Sequence, residues 1–220
     1  MEQRHNQDKH SLLFIIILGM LTAIGPLAID MFLPGLPELK NDFNTTTANA
    51  QLTLSFFMIG LGIGNLFVGP ISDSVGRKKP LIIVMTIFTL ASLGIIFVHN
   101  IWLMIILRLL QGITGGGAAV ISRAIASDLY KGNELTKFLS LLMLVNGVAP
   151  VIAPALGGII LSVAVWRVIF VILTIFGILM VMGSLTKIPE SLSLEYRDSS
   201  GIKVIFQNFK SLLGTPRFVL

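Results

Sequence analysis

Residues 21–37, Leu21-Thr-Ala-Ile-Gly-Pro26-Leu-Ala-Ile-Asp30-Met-Phe-Leu-Pro34-Gly-Leu-Pro37, place a single carboxylate inside a segment that is otherwise almost entirely apolar. Asp30 is the only charged residue between Ser11 and Pro37. Inserting a charged side chain into the lipid core costs about 3 kcal/mol of free energy even on insertion scales, so a charged residue there usually has a functional role. We therefore expect Asp30 to face a water-filled cavity and to titrate. Pro34 and Pro37 leave a second interpretation open, an acid that merely marks a helix end.

The composition is that of a membrane protein with several helices. Of the 220 residues, 54% are hydrophobic and 12% are charged; the mean hydropathy is +0.89. Apolar stretches of about 20 residues recur along the chain, as transmembrane helices require, and alternating segments of a membrane barrel are missing from the sequence. The first ten residues are too polar and too mixed in charge for a secretory signal, so the first apolar run is predicted to be retained. Without cysteine, the sequence excludes disulfides and thiol chemistry.

Six predicted spans form one bundle over residues 12–186, preceded by a cytoplasmic N-terminus at 1–11. A cytoplasmic linker follows at 187–220. Within it, apolar residues at helical spacing over 201–213 predict an amphipathic helix on the membrane surface. Residues 215–220 resemble the approach to a further helix. The predicted spans are 12–33, 50–71, 81–98, 101–125, 138–163 and 166–185.

The positions of the basic residues predict the orientation, because cytoplasmic loops are enriched in Lys and Arg. With the N-terminus in the cytoplasm, only Lys40 and Arg167 fall outside, and Arg108 lies within a span. Both ends of the chain are then cytoplasmic. The other 13 of the 16 basic residues fall inside: Arg4, Lys9, Arg77, Lys78, Lys79, Arg123, Lys131, Lys137, Lys187, Arg197, Lys203, Lys210 and Arg217.

Arg108 is the second charge inside the membrane. It lies about 10 Å from the outer face, and Asp30 about 5–9 Å from the same face, at a rise of 1.5 Å per residue. The two charges thus share a depth, and a pair would lower the cost of both, although the sequence does not say which helices face each other. A snorkelling arginine is the alternative. We predict a cavity or network role for Arg108 and group Asp30 and the nearby Gln111 with it as candidate site residues.

Two further segments stand out. Span five carries Gly147, Pro150, Pro154, Gly157 and Gly158, which predict a bent helix that packs closely against a neighbour. Two interpretations stay open: the bend serves packing alone, or it also opens and seals a transport pathway. The loop between spans two and three is either only a topology signal or a gate with an Asp73–Arg77 ion pair. Its candidate residues are Gly69, Asp73, Gly76, Arg77 and Lys78.

Enzymatic and metal-binding motifs are missing from the sequence. The three histidines lie apart and form no zinc-protease or Ser-His-Asp pattern, so no catalytic residue and no metal ligand is predicted. The basic residues are loop anchors rather than one continuous face, which argues against nucleic-acid binding. The glycines of spans two and four are interpreted as close-packing positions.

Four motifs together resemble the major facilitator superfamily. Residues 69–79 look like its loop 2–3 signature, residues 107–112 its helix-four motif, and residues 147–158 the helix-five motif of drug:proton antiporters. Residues 26–37 are similar to the bicyclomycin- and chloramphenicol-resistance type (Bcr/CflA). The resemblance covers essentially the whole chain and implies the N-terminal six-helix half of a twelve-helix transporter, built from two inverted three-helix repeats.

The resemblance also implies an activity. It predicts a secondary active transporter of the bacterial inner membrane that exports small lipophilic drugs in exchange for protons, with the proton gradient as driving force and no cofactor. Asp30 would be the protonation and substrate site, Arg108 the proton-relay arginine, and Asp73, Gly76 and Arg77 a cytoplasmic gate. The partners would be the substrate, protons, the bilayer, and a missing C-terminal half or a second copy of the chain. The alternatives are an importer or facilitator of a small metabolite, and an inactive truncated six-helix protein.

Overall fold

The computed structural model describes residues 12–197, apart from the side chain of Tyr196. Over this range the chain is helical and contains no strand. Two 3-10 turns lie at Leu33–Gly35 and Leu194–Tyr196. The α-helices are α1 (Leu12–Asp30), α2 (Leu36–Asp42), α3 (Thr47–Val75), α4 (Lys78–Ile96), α5 (Ile101–Leu129), α6 (Gly132–Val163) and α7 (Arg167–Lys187).

Six helices are long and apolar enough to cross a membrane, and they match the six predicted spans. Most of them extend beyond the apolar runs, because polar caps add turns at their ends. The Thr46 side chain accepts a hydrogen bond from the Asn49 N–H at 3.2 Å, so α3 begins at Thr47 rather than at residue 50. The helix α6 also begins earlier than predicted, at Gly132 instead of residue 138, although its first turn has no side-chain cap. The all-α membrane fold is confirmed.

The first helix ends earlier than the predicted first span. The chain leaves α1 at Asp30, not at residue 33, because the Phe32 N–H bonds to the Ile29 carbonyl at 3.2 Å and tightens the backbone into a 3-10 turn. The helix α2 then lies within residues 34–49, where no helix was predicted.

Close backbone contact joins α3 to α5. A Cβ atom at Gly60 or Gly64 would collide with α5 backbone atoms, and one at Gly112 would collide with the Phe57 carbonyl of α3. These glycines therefore let two helices approach as small residues do in membrane bundles. Gly62 was predicted to do the same and does not, since open space surrounds it.

The helix α6 packs on α1 with one side and leaves the other uncovered by the described chain. Ala149, Ala153 and Gly157 are buried, whereas Val151 and Ile159 are 76% and 66% exposed. The predicted N-terminal segment 1–11, the amphipathic helix at 201–213 and the approach to a further helix at 215–220 lie outside the described residues.

Candidate functional site

The guanidinium of Arg108 is fully buried between helices. Its Nη1 donates to the Ala28 carbonyl at 3.1 Å and to Gln111 Oε1 at 2.8 Å. Gln111 Nε2 in turn donates to Ser92 Oγ at 2.7 Å. One polar network therefore joins α1, α5 and α4, and the predicted interior role of Arg108 and Gln111 has a structural basis that a snorkelling arginine would not show.

The end of α1 provides the acceptor for Arg108. In a regular helix the Ala28 carbonyl would accept from the Phe32 N–H four residues on, but that N–H bonds to Ile29. The arginine takes its place and puts a positive charge where the helix dipole is negative. Arg108 thus caps α1 from a neighbouring helix.

Three phenylalanine rings surround the same guanidinium. Its Cζ lies 4.5 Å from the ring centre of Phe57, 4.9 Å from Phe32 and 5.6 Å from Phe170. The Nε and Nη2 atoms have no hydrogen-bond partner among the described residues. Attraction between a cation and an aromatic face contributes most where water is excluded, as it is here. Aromatic rings, rather than a carboxylate, therefore accompany the buried charge.

Asp30 is the last residue of α1 and is half-buried. Within residues 12–197 its carboxylate makes no hydrogen bond and no ion pair. The predicted shared depth holds, because Arg108 reaches Ala28, two residues before Asp30. The ion pair that the shared depth allowed is nevertheless not formed, because Arg108 donates to the Ala28 carbonyl and to Gln111 and not to Asp30.

The span-five residues do not act as one unit. Gly157 lies against the Met31 carbonyl so closely that a Cβ atom would collide with it. Gly147 and Gly158 meet nothing within 4 Å. Pro150 and Pro154 lie within the continuous helix α6, and Pro150 is exposed. The close packing is thus confirmed at Gly157, while the pathway role remains a prediction.

The loop between α3 and α4 contains the predicted ion pair and more. Arg77 is 6% exposed. It pairs with Asp73, and its Nε donates to Asp128 Oδ2 at 2.9 Å and its Nη1 to Ser72 Oγ at 2.8 Å. Burial by itself lowers the pKa of Arg77, but the hydrogen bonds and charges of Asp128 and Asp73 outweigh it and raise that pKa. Arg77 therefore stays charged and joins α3 to α5 at the inner face, the side that carries this loop.

Glu190 holds the start of α4. Its Oε1 accepts from the Arg77 N–H at 2.7 Å, and its Oε2 accepts from the Lys78 N–H at 3.3 Å. A Cβ atom at Gly76 would lie 2.6 Å from Glu190 Oε2, and Gly76 has a φ of +99°. Lys78 Nζ also reaches the Leu185 carbonyl at 2.9 Å. Gly69 packs against Val120 at the same end.

Sequence reasoning missed several of these partners. Asp128 ends α5 and Glu190 follows α7, each far in sequence from Arg77. The only signal in the sequence was their position: each is an acidic residue near the inner end of a span, on the same side of the membrane as the basic loop that contains Arg77. No signal in the sequence indicated that Phe32, Phe57 and Phe170 lie together, because they belong to three different spans and are far apart in the chain.

Residues 18–220 match the family model described as Major Facilitator Superfamily. The chain belongs to the Major Facilitator Superfamily. The crystal structure of a human organic anion transporter, MFSD10 (TETRAN), has the same fold, with a TM-score of 0.67 at 15% identity over 88% of this chain and 52% of that one. The chain is accordingly a multi-pass membrane protein, of the inner membrane in bacteria.

Curated superfamily members resemble the chain along most of its length. The MFS-type transporter YdgK of Bacillus subtilis is 43% identical over 98% of this chain and 54% of its own length. A bicyclomycin resistance protein homolog of Haemophilus influenzae is 33% identical over 93% and 51%. Multidrug resistance protein D of Escherichia coli is 26% identical over 93% and 51%. The chain therefore spans about half the length of these relatives.

Proposed function

We propose that the chain is the N-terminal half of a proton-coupled exporter of small lipophilic drugs. The observation that carries the proposal is the Arg108 network at the end of α1: a buried cation caps the helix that ends in Asp30. Relatives named for bicyclomycin and multidrug resistance support the substrate class. Buried charges of this kind mark ion and substrate pathways in membrane transporters.

The geometry supports a way to couple protonation to helix packing. An ionised Asp30 adds negative charge to the already negative C-terminal end of α1, which is unfavourable. Arg108 offsets that charge through the helix end, not through direct contact. When Asp30 takes up a proton, the attraction between the end of α1 and Arg108 weakens. A cationic or polar substrate group that binds the ionised carboxylate of Asp30 would offset the same negative charge, so proton and substrate would compete for one carboxylate.

The proposal includes a partner for the bundle. The exposed apolar face of α6, with Met143, Val151 and Ile159 at 72%, 76% and 66% exposure, fits a protein surface that lines a cavity or meets further helices. Since the chain spans about half the length of its relatives, we propose that a second six-helix half, or else a second copy, faces this surface. The protons come from the transmembrane gradient, and no cofactor is part of the proposal.

The decisive experiment replaces Asp30 in the full-length protein that its gene encodes. Inverted membrane vesicles would be energised to an acidic interior, and drug-induced proton release would be followed with a pH-sensitive dye. Asp30→Asn is expected to abolish proton release and drug accumulation, while Asp30→Glu, which keeps the carboxylate, retains part of both. Undiminished exchange in Asp30→Asn would remove Asp30 from the mechanism. Substrate movement in the direction of uptake would instead support an importer.

A further inference from the structure

The outer face, opposite the inner face, holds a second polar cluster. Arg167 pairs with Asp42. Its Nε donates to the Ile96 carbonyl at 3.1 Å, and its Nη2 donates to the Val98 carbonyl at 3.0 Å. Trp166 Nε1 also donates to Asp42 at 3.1 Å. One arginine thus ties the start of α7 to both the end of α2 and the end of α4.

This cluster corresponds to the inner one through the inverted repeat. The first repeat comprises α1, α3 and α4, and the second comprises α5, α6 and α7, as expected for this superfamily. Arg77 lies before the third helix of the first repeat and pairs with Asp128, at the end of the first helix of the second. Arg167 begins the third helix of the second repeat and pairs with Asp42, the last residue of α2, which follows the first helix of the first repeat. Each face therefore has one arginine–aspartate pair between the repeats. The first repeat supplies the arginine at the inner face, and the second repeat supplies it at the outer face.

The start of the third helix is also treated alike on both faces. At the inner face, Glu190 accepts from the Arg77 N–H. At the outer face, Glu38 Oε2 accepts from the Trp166 N–H at 3.1 Å. A carboxylate at a helix N-terminus is favoured by the helix dipole. Glu38 thereby fixes α2 to the start of α7 independently of the ion pair.

The outer cluster is continuous with the rings around Arg108. The Trp166 ring lies 6.3 Å from that of Phe32 and 5.8 Å from that of Phe170, both in edge-on geometry. Phe32 and Phe170 themselves lie 5.2 Å apart. Trp166 therefore packs against two of the three rings that face Arg108, Phe32 and Phe170.

We propose that Trp166 and Arg167, with Asp42 and Glu38, form an outer clamp that joins the two repeats and positions the aromatic rings around Arg108. Trp166 and Arg167 are then positioning residues for the transport proposed above, on which the functional part of this inference rests. The clamp is the outer counterpart of the Arg77 cluster. When it opens, α2 leaves α7 and the end of α1 is released.

The test uses a buried residue of α2 as a reporter of whether this helix leaves the bundle. Leu39 is fully buried, and the chain contains no cysteine, so Leu39→Cys introduces a thiol whose labelling by a membrane-impermeant maleimide reports release of α2. In the full-length protein in intact cells, Arg167→Ala is expected to raise the labelling rate about five- to tenfold, because one side chain makes the ion pair and two carbonyl bonds. Trp166→Phe, which keeps a ring but loses the bond to Asp42, is expected to give a smaller increase.

Matched controls separate the clamp from a general loss of structure. Lys40→Ala removes a charge from the same helix α2 and is expected to leave labelling unchanged, because Lys40 makes no side-chain contact of this kind within residues 12–197. A second reporter, Ile188→Cys, lies buried near the inner cluster; in inverted membrane vesicles, which expose that face to the reagent, its labelling should be the same with and without Arg167→Ala. Should Arg167→Ala fail to fold, Asp42→Asn removes the ion pair alone and serves instead.

The result that overturns the clamp is unchanged labelling at Leu39→Cys in both Arg167→Ala and Asp42→Asn, or an equal rise in Lys40→Ala. Labelling is measured without any drug, so it tests the clamp independently of transport. A clamp that opens as expected in a protein that exchanges no drug for protons would refute the proposed function and leave the clamp standing. The link to Arg108 is tested by drug-induced proton release, which Trp166→Leu should reduce more than Trp166→Phe.

Discussion

Arg108 donates a hydrogen bond to the Ala28 carbonyl, 80 positions away in sequence, at the point where α1 stops being a regular helix. This contact places a cation at the end of the helix that carries Asp30, without an ion pair between the two. The free-energy cost of burying the Arg108 charge in the membrane is thus offset by a helix end, the Gln111 amide and three aromatic rings.

The aromatic contribution can be isolated on α3. Phe57→Leu removes the ring nearest to Arg108 and is expected to lower the thermal midpoint by several degrees more than Phe56→Leu, because a desolvated cation–π contact contributes about 2 kcal/mol. Phe56 is the half-buried neighbour and loses the same atoms without facing the guanidinium. Thermal unfolding of the purified protein in detergent, followed by size-exclusion chromatography, gives both values. Equal losses would contradict a stabilising contact between the Phe57 ring and the guanidinium.

The amide of Gln111 connects Arg108 to Ser92, and an apolar replacement leaves both partners short of a bond. Gln111→Leu is expected to destabilise the bundle by about 1–3 kcal/mol, the usual range for a buried polar group that loses its partner. Thr114→Val, one turn further along α5, should cost far less, because the Thr114 hydroxyl bonds only to carbonyls of its own helix. Thermal midpoints of the two variants provide the comparison. A larger loss in Thr114→Val would contradict the importance of the network.

Two adjacent glycines of α6 should respond in opposite ways to the same change. Gly157→Ala places a methyl group against the Met31 carbonyl and forces α6 away from α1, at a cost of about 1–3 kcal/mol for an overpacked contact. Gly158→Ala points into open space and should be neutral or slightly stabilising, since alanine favours helix more than glycine does. Yield of folded protein and thermal midpoint are the measurements. Similar behaviour of the two variants would refute the close α1–α6 contact.

At the inner face, the shape of the cation matters as well as its charge. Arg77→Lys keeps the charge but cannot contact Asp73, Ser72 and Asp128 at once, so it is expected to destabilise the protein by about 3 kcal/mol, as for a buried pair that loses its geometry. Lys79→Arg, two residues on and exposed, should change nothing. Because the pKa of Arg77 is raised, its charge is present throughout the neutral and mildly alkaline range. The difference between the variants should therefore be the same at pH 6 and pH 9, and a difference that disappears at pH 9 would contradict it.

Much of the architecture follows from the sequence because lipid allows few solutions. Apolar runs of membrane length specify six helices, and the rise per residue puts Asp30 and Arg108 at one depth. The direction in which each side chain points is a different matter. Whether Asp30 meets Arg108 depends on the angle around α1, which a depth calculation does not contain.

The remaining features depend on tertiary packing. Helix α2 is a short amphipathic turn in a polar stretch, stabilised by Glu38 and Asp42 through their contacts with α7. Nothing in the sequence distinguishes Asp128 and Glu190 from other acidic residues, and only the folded bundle places them next to Arg77. Such contacts join residues that are far apart in sequence, so the local sequence pattern does not predict them.

The contact of Gly112 with the Phe57 carbonyl has a consequence for how this protein can evolve. It sets the register between the helix that presents Arg108 and the helix that presents its nearest ring. Any side chain at position 112 would shift that register and separate the charge from its aromatic partner. Homologous chains that retain Arg108 and an aromatic residue at position 57 should therefore retain glycine at 112, and natural variation should change the three positions together or not at all.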